Sequence, residues 1–356
     1  MKRFFVKMIF WIIGIIVFLL LVSALIGWKV SAPVYRGEKS AHFDGKKFIN
    51  PNGIKAKGLT DVLKWMVNRN KGEWSEIENA FIGQPPAHKL SEDITRITFI
   101  NHSTTLIQLK GQNILTDPVW SKRVSPFQWI GPKRVRPAGI NFEDLPPIDV
   151  VIISHNHYDH LDEATVKRLN SLYQPVFIVP LGVSELLKQW SVANIIELDW
   201  EQNKTLSSEI TITAVPAIHF SGRGNMDRDA TLWCGYVINS GKTNVYYTGD
   251  SGYGKIFKEI GNKYGPFDVA LIPIGAYQPK WFMSPIHISP EEAVEVHLDV
   301  QSKKSIAIHY GTFPLADEGL GDAPKDLEIA IANRGLNWND FIILPEGHFI
   351  DFTVDQ

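Results

Sequence analysis

Asp149 to Asp162 reads DVVIISHNHYDHLD: an apolar run that opens directly onto three histidines and two aspartates. An unbroken run of β-formers is the pattern of a strand covered on both faces, so the polar stretch begins at the mouth of a buried sheet. In an extended chain alternate side chains share a face, which sends His155 and His157 the same way. A turn after them returns Asp159 and His160 to a nearby point. Imidazole and carboxylate are favoured ligands of zinc and similar divalent ions, and left unpaired at the edge of a core they would be costly. The stretch therefore reads as half of a metal site.

The remaining ligands should come from other strand ends. VPAIH ends in His219, YYTGD ends in Asp250 and IAIHYG contains His309, each a ligand type at or just past the end of an apolar run. Taken singly, His219 or His309 would more often be a hydrogen-bonded core or surface residue. Together with the cluster they complete a two-metal set. From Ile94 onward short strands come in two sets, with helices expected at 161–172, 254–265 and 289–300. Asp162 caps the first, and Ser289, Pro290 and Glu292 form a capping box on the last. The pattern predicts two sheets packed face to face with helices outside.

The chain has 356 residues, 44% of them hydrophobic, and a formal charge of −2. That length supports a sizeable core, and the charge argues against a nucleic-acid partner held by a broad basic field. The single cysteine, Cys234, forms no intramolecular disulfide. Met8 to Trp28 is uncharged and long enough to cross a bilayer once as a helix. Lys2, Arg3 and Lys7 precede it, which favours a cytoplasmic N-terminus and a C-terminal domain on the other side; a cleaved signal peptide is the alternative. The expected organisation is an anchor over 1–28, a linker lying on or near the domain surface over 29–59, and a metal-site-bearing domain over 60–356. Within the last, 60–70 predicts a short amphipathic helix with Val62, Leu63, Met66 and Val67 on one side.

HNHYDH with TGD resembles the metallo-β-lactamase superfamily. The resemblance implies an αββα sandwich with the site on one rim, one zinc held by His155, His157 and His219, a second by Asp159, His160 and His309, and Asp250 bridging both. From about Lys46 onward the chain is similar to the N-acylphosphatidylethanolamine-hydrolysing phospholipase D family. The runs that carry this are ILTDPVWSKRVSPFQWIGPKRVRP, LPPIDVVIISHNHYDHLD, YGPFDVALIPIGAY, KWFM and SPEEAVEVHLDVQSKKSIAIHYGTF. The N-terminal apolar span and the closing PEGHFIDF depart from that pattern. The implied activity is hydrolysis of a membrane phospholipid to N-acylethanolamine and phosphatidic acid.

The chemistry suits a phosphodiester: paired divalent ions lower the pKa of a bridging water towards ~7 and clamp the attacking and leaving oxygens of an in-line displacement at phosphorus. Asp159 would orient that nucleophile. The resemblance places His287 near the substrate as proton donor to the leaving alkoxide, and Tyr158 is expected to face the cleft. Trp281 and Phe282, with Trp120, Phe127 and Trp129, are candidates for an acyl-chain groove, though aromatics are more often core. His102 is a candidate partner of a ligand, Asp117 a turn cap or ligand support, and His297 a satisfied buried histidine. A sugar-phosphate lactonase would want a small polar pocket and a nuclease a basic track. A non-catalytic scaffold would have no use for all seven ligand types.

Overall fold

The computed structural model describes residues 2–206 and 209–353. Val354, the last residue of the expected closing strand, lies outside them. The first helix, α1 (Lys2–Val30), carries the apolar span; most of its described residues are exposed, and Gly27 near its end is buried. It is long and apolar enough to cross a membrane, a property that a signal sequence shares. After the short helix α2 (Leu59–Val67) come β1 (Ile94–Asn101), β2 (Thr104–Leu109), β3 (Gln112–Thr116) and β4 (Val150–Ile152). The chain continues through α3 (Glu163–Tyr173), β5 (Val176–Pro180), α4 (Val183–Gln189), β6 (Ile195–Leu198), β7 (Asn203–Thr205) and β8 (Thr211–Val215). Then follow β9 (Gly235–Asn239), β10 (Asn244–Tyr247), α5 (Ile256–Tyr264), β11 (Phe267–Pro273), α6 (Lys280–Met283) and α7 (Pro290–Asp299). The last elements are β12 (Ser302–Ile308), α8 (Asp322–Arg334), β13 (Phe341–Ile342) and β14 (Phe349–Thr353).

The strands form two seven-stranded sheets, ordered β14-β1-β2-β3-β4-β5-β6 and β13-β12-β11-β10-β9-β8-β7. Each sheet is antiparallel over one half and parallel over the other. Strand periodicity explains the layering: along β11, Val269 and Leu271 face the other sheet while Ala270 and Ile272 face helices. Ile107, Ile152, Tyr236, Tyr247 and Ile306 meet in the layer between the sheets. Val166, Leu169 and Leu187 of α3 and α4 cover one outer face, and Phe257, Val296 and Leu327 of α5, α7 and α8 cover the other. This is the αββα sandwich of the metallo-β-lactamase fold.

The segment between α1 and α2 is bound to the domain. Phe43 and Phe48 are buried with Leu232 and Trp233, and Tyr35 and Phe48 donate backbone N–H groups to Ala230 and Asp229. The polar composition of 29–59 conceals these few apolar anchors. On α2 the apolar face also differs from expectation. Val62 and Trp65 pack on Phe282 and Met283, whereas Leu63, Met66 and Val67 are exposed. Trp65 fixes the rotation of the helix because its ring stacks on Phe282 at 4.9 Å and its indole N–H reaches Asp317 at 2.9 Å.

Candidate metal centre

Strands β4, β8, β10 and β12 end at one rim, and the chemistry-bearing residues follow those ends. After β4, His160 and Leu161 donate backbone N–H groups to the carbonyl of His157, a turn that folds Asp159 and His160 back beside His155. Asp162 then caps α3 and also accepts from Ser121 and Thr165. His219 follows β8, Asp250 follows β10, and His309 follows β12 directly. The glycine of TGD is required sterically: Gly249 has φ +63°, and a Cβ there would lie 2.7 Å from that of Ser154. His102, Asp117 and His309 also adopt left-handed backbone angles, a strain of the kind that accumulates at functional sites.

Two groups of side chains result. In one, His155 Nε2 lies 2.8 Å from His157 Nδ1, which lies 3.3 Å from His219 Nε2. In the other, Asp159 Oδ2 lies 3.4 Å from His160 Nε2 and 3.5 Å from His309 Nε2. Asp250 stands between them, with Oδ2 3.2 Å from His160, 3.0 Å from His309 and 3.8 Å from His219. Outer partners set the tautomers. His219 Nδ1–H donates to the carbonyl of Ile286 at 2.9 Å, and His160 Nδ1–H to Asp117 at 2.6 Å, leaving both Nε2 lone pairs facing inwards. Asp117 is fully buried and accepts from the Ser154 backbone, the Ser154 hydroxyl and Tyr247 as well.

These residues fit metal cations. His160 Nε2, His309 Nε2 and Asp250 Oδ1 are buried with no hydrogen-bond partner, an arrangement that costs free energy unless an ion takes their lone pairs. Burial drives His155 well below the ordinary imidazole range and both His157 and His219 down to about 3, so these three offer neutral nitrogens. Burial is the largest influence on Asp159 and Asp250 and opposes their charge, but the surrounding histidines, His160 foremost, together outweigh it and both stay ionised. Burial likewise works against protonation of His160 and His309, yet Asp250 and the neighbouring carboxylates together override it, raising His309 to about 9. A proton and a metal ion compete there for the same nitrogen.

Residues 112–310 match the model of the beta-lactamase superfamily domain. The chain is 36% identical over 327 residues to N-acyl-phosphatidylethanolamine-hydrolyzing phospholipase D 1 of Caenorhabditis elegans, spanning 85% of this chain and 92% of that one. The chain belongs to that phospholipase D family. A mitochondrial enzyme of the same description from Saccharomyces cerevisiae is 32% identical over 65% of this chain and 51% of its own length. Igni18, a metallo hydrolase of Ignicoccus hospitalis, shares the fold with a TM-score of 0.56 at 21% identity, covering 74% of this chain and 100% of that one. This member of the phospholipase D family is thus a metal-dependent hydrolase.

In this family member the other expected residues divide. His287 reaches the site, with Nδ1 3.9 Å from Asp250 Oδ2. His102 reaches it from β1, its Nε2 3.1 Å from Asp159. The hydroxyl of Tyr158 donates to the carbonyl of Arg223 at 3.1 Å, so only its ring is left to line the mouth. Phe282 is buried under α2, which corrects its expected place on a groove, whereas Trp281 is exposed beneath Lys64. His297 is buried and hydrogen-bonded to Ser305. Two residues had no sequence signal. Arg223 donates from Nη1 to the carbonyls of Asn156 and Leu161, bracketing the metal turn. Asn50 accepts the backbone N–H of His219 and donates to its carbonyl. Nothing local marks either one, because their partners are backbone atoms distant in sequence.

Proposed function

We propose that the chain binds two zinc ions and hydrolyses N-acylphosphatidylethanolamine to N-acylethanolamine and phosphatidic acid. One observation carries this reading: Asp250 lies within bonding reach of both histidine groups, in a chain matching nearly the whole length of a family enzyme. Paired zinc ions supply a nucleophile at neutral pH and offset charge on the phosphoryl oxygens. His155, His157 and His219 would hold one ion, Asp159, His160 and His309 the other, and Asp250 both.

The chain's own groups then orient and move protons. Asp159, held at one oxygen by His102, uses its carboxylate to accept a hydrogen bond from the attacking water and aim it at phosphorus. As the new P–O bond forms, the bond from phosphorus to the ethanolamine oxygen breaks. His287 delivers the proton that this leaving oxygen needs. Burial holds metal-free His287 down to about 3, so the anionic phosphate must raise it before it serves as an acid. The rings of Tyr158 and Trp281 would border the lipid. Residues 1–28 would anchor the chain with its N-terminus cytoplasmic, and 60–356, with the packed connection 29–59 against it, would form a catalytic domain on the extracytoplasmic side.

The test uses the full chain in detergent micelles, with metal content measured by elemental analysis. It is offered N-acylphosphatidylethanolamine, other lipid phosphodiesters, lactones and RNA. We expect two zinc ions and release of N-acylethanolamine with phosphatidic acid. Cleavage of a lactone or RNA with no lipid product would overturn the assignment.

A further inference from the structure

We propose that the rim of the site is itself a bilayer-seated surface, made by the tip Phe127–Ile130 and the outer face of α2, which presses the mouth into an anionic membrane independently of α1. The purpose of such a surface rests on the lipid-substrate reading; its test does not.

The tip is a built structure with its apolar groups outward. Arg123 and Lys133 pair as a β-bridge, and Val124 donates to the carbonyl of Pro132 at 3.1 Å. Gln128 binds both the N–H and the carbonyl of Arg123. On this frame Phe127 and Trp129 stack at 5.6 Å, Trp129 is 75% exposed, and Ile130 is exposed beside it. Ordered aromatic and aliphatic side chains facing water are costly unless something apolar receives them. On α2 the same holds of Leu59, Leu63, Met66 and Val67, the last 85% exposed.

Both patches border the site. Val124, at the base of the tip, packs with Val119, Phe313 and Tyr158, while α2 packs on Phe282, and Leu315 touches both clusters. The end of α1 reaches the same region. Ala32 N–H donates to Asp227 at 2.7 Å, and Asp227 also accepts from the backbone of Arg223, whose guanidinium stacks on Tyr158. A cavity of about 330 Å³ is lined by Tyr158 and Arg223 on one side and by Arg123, Ser125 and Gln128 of the tip on the other. The tip therefore flanks this opening, and the chain just after α1 is bonded through Asp227 to the loop that supplies Arg223 to its other side.

Charge identifies the occupant. The whole chain carries 36 basic and 38 acidic residues, yet segment 122–133 has no acidic residue and holds Lys122, Arg123 and Lys133, the last paired with Glu76. Segment 55–71 holds Lys55, Lys57, Lys64 and Lys71 against Asp61 alone, besides Arg69, which pairs with Asp317. Apolar and tryptophan-bearing tips with basic flanks match the interface of an anionic bilayer, where each basic group near the surface adds roughly 1 kcal/mol.

The experiment reconstitutes the full chain in phosphatidylcholine vesicles with or without about 30% phosphatidylglycerol, a proportion that gives a strong negative surface potential. An environment-sensitive dye is placed on Trp129→Cys, Leu63→Cys or, at the opposite rim, Lys242→Cys; the native Cys234 is buried and stays unlabelled. We expect blue-shifted emission and quenching by spin-labelled lipid at positions 129 and 63, stronger with phosphatidylglycerol, and water-like emission at 242. Ile130→Cys gives the same readout should the tryptophan variant fold poorly. Water-like emission at 129 and 63 would overturn the proposal. In the activity arm, Ile130→Asp combined with Met66→Asp should cut hydrolysis of vesicle lipid by roughly 10-fold, with a monomeric short-chain diester cleaved as before. A native chain that cleaves neither substrate while its labels still report insertion would defeat the lipid-hydrolase reading and leave this one standing.

Discussion

Asp117 gathers four donors on one buried carboxylate and passes their constraint to His160, so its loss should loosen the metal before it loosens the fold. Asp117→Ala is expected to weaken zinc affinity by about 10- to 100-fold, measured by chelator competition. Asp250→Ala removes the carboxylate between the two groups. It should leave fewer than two zinc ions per chain and lower turnover by at least about 10²-fold, with far-ultraviolet dichroism unchanged. His287→Ala should keep full zinc content and lose about 10²-fold in turnover, the usual range for a proton donor; normal turnover would assign the proton to water. A buried carboxyl outside the ligand set also contributes to the pH dependence of stability. Burial pushes the Glu346 carboxyl up to about 7, against the pull of Arg136 and Thr312. Between the ordinary carboxyl range and pH 7 the folded protein keeps a proton that the unfolded chain releases, so this contribution to stability declines as pH rises through that window. Glu346→Gln should abolish up to roughly 3 kcal/mol of that decline, read from denaturant midpoints at pH 5 and 8.

Among the elements, the packed segment between α1 and α2 contributes most that composition concealed. Its Asn50 side chain holds His219 at both backbone atoms and also accepts from Trp233, so a residue far upstream in sequence sets where a ligand stands. Asn50→Ala should leave two buried backbone groups unpaired and cost about 1–3 kcal/mol in stability. It should also weaken zinc binding; an unchanged zinc affinity would make Asn50 a packing residue only. The helices with explicit caps, α3 and α7, were legible because Asp162, Ser289 and Glu292 announce them. β5 and α8 were not anticipated. VFIVP is too short to separate from a loop or a buried helix by periodicity, and α8 starts at Asp322 with no side-chain cap bond.

For the whole molecule, the packed connection means that α1 is not a loose tether. Ser31, Ala32 and Tyr35 are already bonded to the loop 221–230, so the position of the apolar helix relative to the site is set by the fold rather than by chain length. Deleting residues 1–28 should therefore leave the melting temperature within a few degrees of the full chain, because the span is exposed over most of its length and only its end, at Gly27, is buried. Hydrolysis of vesicle lipid at low protein concentration should fall, since confinement to the membrane raises effective substrate concentration. Equal vesicle rates for truncated and full-length protein would show that the span serves sorting alone.

Most of the strands, the two-layer class and the metal-type residues follow from sequence alone, since each is written in local pattern: apolar runs of strand length, and ligand types placed at their ends. His155, His157, Asp159 and His160 sit within six residues, so a single turn brings them together. Only the tertiary structure decided which partners aim those ligands, because Asp117, Asn50, Arg223 and the carbonyl of Ile286 act from other segments through hydrogen bonds that leave no spacing in the chain. It also decided which apolar residues meet protein and which meet water. Hydropathy reports how much a side chain gains by leaving water, not what stands opposite it. So Phe282 lies buried against Trp65, while Trp129, just as apolar by type, stands in the open.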